Sequence, residues 1–281
     1  RHVRCTCWFR NSEILRSIHH LTFIISMGGV SIMDMVKERV ALISGINDEI
    51  GRAIAVRFAE KGAKVVVIDD NQKSLDALTS SIKALGWDIE KVVVDGKNSR
   101  EIHNAVGAIV DQYGSIDILV NNAGNPCAGG ICNLTDDDWH QSLTDNLDPM
   151  FFLCREVIPL MQENKYGRVI NISNLDYMGW PGKANYSAAE SAIFGFTRSL
   201  ALEVAKDNIT VNCVVKGDIR CADMTDEDVE KAAACLPVKK LGTPEDVALS
   251  VGFFASDTSP YTTGQTLFVC GGKSMYFSMS I

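Results

Sequence analysis

The chain has 281 residues, 46% of them hydrophobic, enough for a real core and incompatible with disorder as the main state. Its 27 Lys and Arg against 35 Asp and Glu leave a formal net charge of -8, and no stretch supplies the cation excess that nucleic-acid binding needs. Nine cysteines, odd in number and without paired CxxC and HxxxH spacing, argue against a disulfide framework and a zinc site and for a reducing, cytoplasmic setting.

Residues 1–34 mix Cys, Arg, His and Trp without periodicity around the candidate initiators Met27, Met33 and Met35. They read as a non-native or disordered extension, with an ordered extension or a weak targeting segment as alternatives, and the folded domain is expected over 35–281. No apolar run approaches the roughly 18 residues of a membrane span. From Glu38 the chain alternates apolar runs, short turns and amphipathic stretches. In order this predicts a strand at 40–44, a helix at 50–61, a strand at 64–69, a helix at 72–85, a strand at 92–95, a helix near 100–113 and a strand at 116–120. A helix near 146–161 follows, then a strand at 168–173, a helix at 187–205, a strand at 210–215, a helix at 244–255 and a last strand at 266–269. With no polar linker inside it, the series implies one α/β domain, a parallel sheet with helices on both faces.

Ser44-Gly45-Ile46-Asn47-Asp48-Glu49-Ile50-Gly51 ends the first strand and opens a helix, where a dinucleotide fold sets its pyrophosphate against backbone amides. Joined by Asn121-Asn122-Ala123-Gly124, Tyr186-Ser187-Ala188-Ala189-Glu190, the stretch from Asn212 to Gly217 and the glycine-rich end, it resembles the classical short-chain dehydrogenase/reductase family over about residues 37–272. The resemblance implies a Rossmann-type doubly wound sheet, an NAD cofactor and a Ser, Tyr, Lys and Asn catalytic group. It would place the cofactor on Gly45, Ile50, Gly51, Asp69, Asp95, Asn122, Ala123 and Gly124. Asp69 is the implied ribose-binding carboxylate that repels an NADP phosphate, or alternatively a helix cap; Gly124 is alternatively a tight turn.

Three departures fall on the chemistry. Glu190 stands one helical turn after Tyr186, where the family has its lysine, so a carboxylate replaces the cation that lowers the phenol pKa. Glu49 replaces a glycine of the pyrophosphate turn and is expected to impair binding, unless it rotates outward. Lys216 replaces a proline and is expected to pair with Glu190 as a compensating charge, or else to act as a relocated catalytic lysine. Ser173 has the usual spacing to Tyr186, whereas counting along the strand puts Asn174 in the serine position. Asn146 matches the family's asparagine or serves a helix kink. Tyr186 is either a vestigial proton donor or a buried core tyrosine.

These features imply a catalytically degenerate subunit that partners an active short-chain dehydrogenase paralogue in an even-numbered assembly, with NAD binding by this chain weak or absent and no metal. The overall pattern is similar to the degenerate subunits of hydroxybenzylsuccinyl-CoA dehydrogenases of anaerobic toluene breakdown, implying an acyl-CoA substrate for the complex. The alternative is an active NAD(H)-dependent alcohol/ketone oxidoreductase. The apolar residues Ala188, Ile193, Phe194, Phe196, Leu200, Ala201 and Val204 are expected to leave a helix face that another subunit covers.

Overall fold

The computed structural model describes residues 36–122, 124–126 and 129–278. The expectation for the segment 1–34 lies outside the described residues. Seven parallel strands, β1 (Val40–Ser44), β2 (Lys64–Asp69), β3 (Glu90–Val93), β4 (Ile118–Asn121), β5 (Gly167–Asn174), β6 (Ile209–Lys216) and β7 (Thr266–Val269), form one sheet in the order β3-β2-β1-β4-β5-β6-β7. Three expected strands were placed to the residue; the others shift by one or two at their ends.

The helices are α1 (Glu49–Glu60), α2 (Gln72–Ala84), α3 (Ser99–Tyr113), α4 (Asp136–Asn146), α5 (Asp148–Asn164), α6 (Ala184–Val204), α7 (Asp226–Ala234), α8 (Pro244–Ala255) and α9 (Lys273–Ser278). Their starts are written locally. Asn71 and Asn98 cap α2 and α3 through side-chain oxygens, and Thr135 with Asp138 and Thr243 with Asp246 close capping boxes on α4 and α8. The expected helix near 146–161 is α5, and α4, parted from it at Leu147, was not expected.

Strand alternation divides the core. Leu42, Val66 and Leu119 point to the side covered by α3, α5 and α6, while Ala41, Ile43 and Val65 point to the side of α1, α2 and α8. Because both faces are covered, the central strands read as continuous apolar runs rather than alternating ones. At the floor of the sheet the guanidinium groups of Arg39 and Arg168 pack on the Tyr166 ring, 3.7 and 4.5 Å from its centroid, and its hydroxyl donates to Asp257 Oδ1 at 2.7 Å. At the opposite, C-terminal edge of the strands the chain reverses between β1 and β4, with Ser44 in register with Asn121. That reversal opens the crevice in which doubly wound sheets hold their ligands.

Candidate active site

Gly45 leaves β1 with a φ of 71°, a left-handed turn that glycine adopts freely, and delivers the chain to the start of α1. Gly51 sits inside the first turn of that helix, where a methyl group would collide with the Gly45 carbonyl oxygen and come within 2.9 Å of Ile46 Cα. Ile50 turns into the core beside α1. The turn therefore keeps the close helix–strand packing of a dinucleotide fold.

Its charges differ. Asp48 caps α1: its Oδ1 accepts from Gly51 N at 2.8 Å and from Asn122 Nδ2 at 2.9 Å, and its Oδ2 lies 3.2 Å from Lys216 Nζ. Asn122 Nδ2 also donates to the Gly45 carbonyl at 2.6 Å, so the end of β4 is stitched to the turn after β1. Glu49 is rotated away from the turn; its Oε1 accepts from Ala222 N at 2.9 Å and so bonds to the connection after β6.

Beyond Asp48 lies a cleft of about 480 Å³ whose walls include Asp69, Val94, Asp95, Asn122, Gly124 and Leu153. Asp69 does not cap a helix, since Asn71 has that role. Instead Asp69 Oδ2 accepts from Ile46 N at 3.0 Å and Oδ1 from Asn47 Nδ2 at 2.5 Å and Asn71 N at 3.0 Å. Burial raises its pKa against those hydrogen bonds. Asp95 is exposed at the cleft rim, where its Oδ1 accepts from Lys97 N at 3.0 Å. Gly124 stands beside the Tyr186 hydroxyl, 4.0 Å from where a Cβ would lie. Ala123 lies outside the described residues.

At the other end of the crevice Tyr186, in the first turn of α6, is 3% exposed and Glu190 is 2% exposed. The Glu190 carboxylate accepts from Asn174 N at 2.8 Å and is hydrogen-bonded by the Tyr186 and Ser173 hydroxyls. Burial, then the charge and hydrogen bond of Glu190, drive the Tyr186 phenol pKa far above its ordinary value, the reverse of what a neighbouring cation does. Ser173 is buried beneath α6, its Oγ 3.4 Å from the Glu190 carbonyl, whereas Asn174 ends the strand and its side chain accepts from Asp176 N at 2.9 Å. Asn146 is buried at the α4–α5 break. Its Oδ1 accepts from Asn125 N at 2.7 Å and its Nδ2 donates to Ser142 O at 2.6 Å, so it braces the kink and the loop after β4.

The expected ion pair between Lys216 and Glu190 does not form. Lys216 shares the strand parity of Val214, which faces α1 and α8, while Glu190 hangs from α6 on the other side of the sheet. The ammonium therefore reaches Asp48 and touches Glu190 only as a distant charge. Asp48 is the site residue that the motif reading passed over; an Asp directly before a helix start is an N-cap signal and could have marked it.

A nicotinamide dinucleotide is what this fold implies, and the two halves of the crevice answer differently. The cleft beside Asp69 and Asp95 has the room and the carboxylates for an adenosine. The Asp48 carboxylate at the helix end and Glu190 beside Tyr186 do not suit the phosphates or the second ribose, both of which call for positive or hydrogen-donating partners. Among the described residues no cluster able to hold a metal ion occurs, and no helix is long and apolar enough to cross a membrane.

A family model described as enoyl-(acyl carrier protein) reductase matches residues 45–274. Two subunits of the (2S)-[(R)-hydroxy(phenyl)methyl]succinyl-CoA dehydrogenase of Thauera aromatica are similar: BbsC, 42% identical over 86% of this chain and 97% of its own length, and BbsD, 40% identical over 86% and 98%. The 3-oxoacyl-[acyl-carrier-protein] reductase of Escherichia coli is 36% identical over 84% of this chain and 98% of its own. Among solved structures, a variant actinorhodin polyketide ketoreductase with NADPH superposes with a TM-score of 0.80 at 30% identity, covering 84% of this chain and 97% of that one. The crevice, the glycine turn and these likenesses together make the chain a member of the short-chain dehydrogenase/reductase family.

Proposed function

We infer that this chain is a catalytically degenerate short-chain dehydrogenase subunit that partners an active paralogue in an NAD-dependent hydroxyacyl-CoA dehydrogenase. The observation that carries the reading is Glu190, buried against Tyr186 where the chemistry calls for a cation. Hydride exchange between an alcohol and a ketone needs a phenol that gives up and regains its proton near neutral pH. A phenol with a raised pKa, held by a carboxylate, resists that cycle, and the Lys216 ammonium is committed to Asp48. The names of BbsC and BbsD, two subunits of one dehydrogenase, support the partner role and an acyl-CoA alcohol as the substrate class of the complex.

The test is twofold. The purified chain alone is expected to show no NAD-linked oxidation of a hydroxyacyl-CoA, and coexpressed with an active family member it is expected to copurify with it. Turnover by the isolated chain would replace this reading with the second one, an active NAD(H)-dependent alcohol/ketone oxidoreductase. Glu190→Lys alone is expected to leave the chain inactive, because the phosphate end of the crevice still carries Asp48.

A further inference from the structure

We propose that Asp48 is an internal anion filling the place of the dinucleotide's phosphates, with Lys216 as its counter-ion, so that the crevice discriminates against phosphate-bearing ligands while its nucleoside half stays open. This rests on the reading above that the crevice is a dinucleotide site no longer used for catalysis. Four contacts carry it. The Asp48 carboxylate takes the first-turn Gly51 amide, the Asn122 side-chain amide and the Lys216 ammonium, each a donor of the kind a bound phosphate would use. The Asn122 amide has its second contact on Gly45 O, so it is held in place for Asp48.

Glu49 completes the arrangement without competing for the same donors. Its carboxylate accepts from Ala222 N, so two consecutive acids fasten the start of α1 to the end of β6 through Lys216 and to the connection after it through the backbone. The obstruction expected at Glu49 is thus assigned to its neighbour. Asp48 also lines the open cleft, with 42% of its side chain exposed, so its charge faces the space through which phosphates would enter. Two carboxylate oxygens and two phosphate groups a few ångströms apart repel, and the low dielectric of a crevice strengthens the effect.

The experiment is calorimetric titration of the full chain with NAD and with adenosine, which shares the nucleoside but has no phosphate. The wild type is expected to bind adenosine at least as tightly as NAD. Asp48→Asn keeps an acceptor for the Gly51 amide and hence the helix cap, and removes only the charge. It is expected to strengthen NAD binding about tenfold or more, through loss of like-charge repulsion and release of Lys216, and to leave adenosine binding within about twofold. The double variant Asp48→Asn with Lys216→Met should lose part of that gain. Thermal melts confirm folding, and Asp48→Ser serves as a second variant.

An unchanged NAD affinity in the folded Asp48→Asn chain overturns the proposal, as does a wild type that binds NAD tenfold more tightly than adenosine. Neither result touches the partner-subunit reading, which is judged by turnover and copurification. Turnover by the isolated chain would overturn that reading, while the response of binding to Asp48→Asn would still be read separately.

Discussion

Glu190 shows how far one side chain departs from the chemistry around it. Burial raises its pKa, and the Ser173, Asn174 and Tyr186 hydrogen bonds and the Lys216 charge oppose that rise without cancelling it. A carboxyl whose folded pKa exceeds its ordinary value of 4.5 binds its proton more tightly folded than unfolded. Its contribution to stability is therefore complete below that ordinary value and is lost as pH rises through the raised one, at no more than about 1.4 kcal/mol per pH unit. Glu190→Gln, which cannot ionise, should flatten this part of the melting-temperature profile; parallel profiles for the two proteins would show that Glu190 does not titrate there. The replacement itself was legible in the sequence, because one helical turn after Tyr186 defines the position. The partner of Lys216 was not, since Asp48 lies 168 residues away and only strand parity decides which face the ammonium takes.

Elements built from apolar runs were legible nearly to the residue, and those built from caps were not. The helices α4 and α7 escaped because their first turns carry Asp136 to Asp138 and Asp226 to Asp228 and no dense apolar stripe, although Thr135 and Thr225 announce both starts. Equally invisible in the sequence is the polar chain that joins three elements. Asn121 Nδ2 on β4 donates to Asn171 Oδ1 on β5 at 2.8 Å, and Asn171 Nδ2 donates to Thr197 Oγ1 on α6 at 2.9 Å, all of it buried. Each sits within an apolar stretch of the sequence, which does not tell which buried amide meets which. Thr197→Val keeps the shape and removes the acceptor, leaving a buried amide hydrogen unmet, which costs about 1 to 3 kcal/mol. Chemical denaturation measures it, and an unchanged midpoint would show that the chain of bonds contributes nothing.

For the molecule as a whole, the parallel sheet with helices on both faces followed from the alternation of elements, whereas the apolar face of α6 expected to meet another subunit is only partly taken up by the chain's own core. Ile193, Ala201 and Val204 are buried in their own core, and Phe194, Phe196 and Leu200 pack partly against it, which leaves Leu202, 84% exposed, as the conspicuous apolar residue of that helix. A second apolar surface lies on the far edge, where Leu249 of α8, Leu267 and Phe268 of β7, Val238 and Gly271 line one groove. If a second dehydrogenase chain covers this edge, Leu249→Glu should abolish copurification and change stability by no more than about 0.5 kcal/mol, because the side chain is exposed in the single chain. Native mass spectrometry of the coexpressed pair reads the outcome, and an intact complex with the variant would move the interface elsewhere.

The nine-residue helix α7 buries none of its side chains. Its order comes from the Thr225 cap, the pair between Glu227 and Lys231 at 2.7 Å, and the Lys239 ammonium on Ala234 O at 2.7 Å. Helices this short are marginal in water without packing, and such surface pairs contribute only tenths of a kcal/mol. Its opening is therefore a local event, uncoupled from the cooperative loss of the sheet. Amides of this segment should exchange with solvent long before those of β5 and β6, and a protease should nick the chain here first.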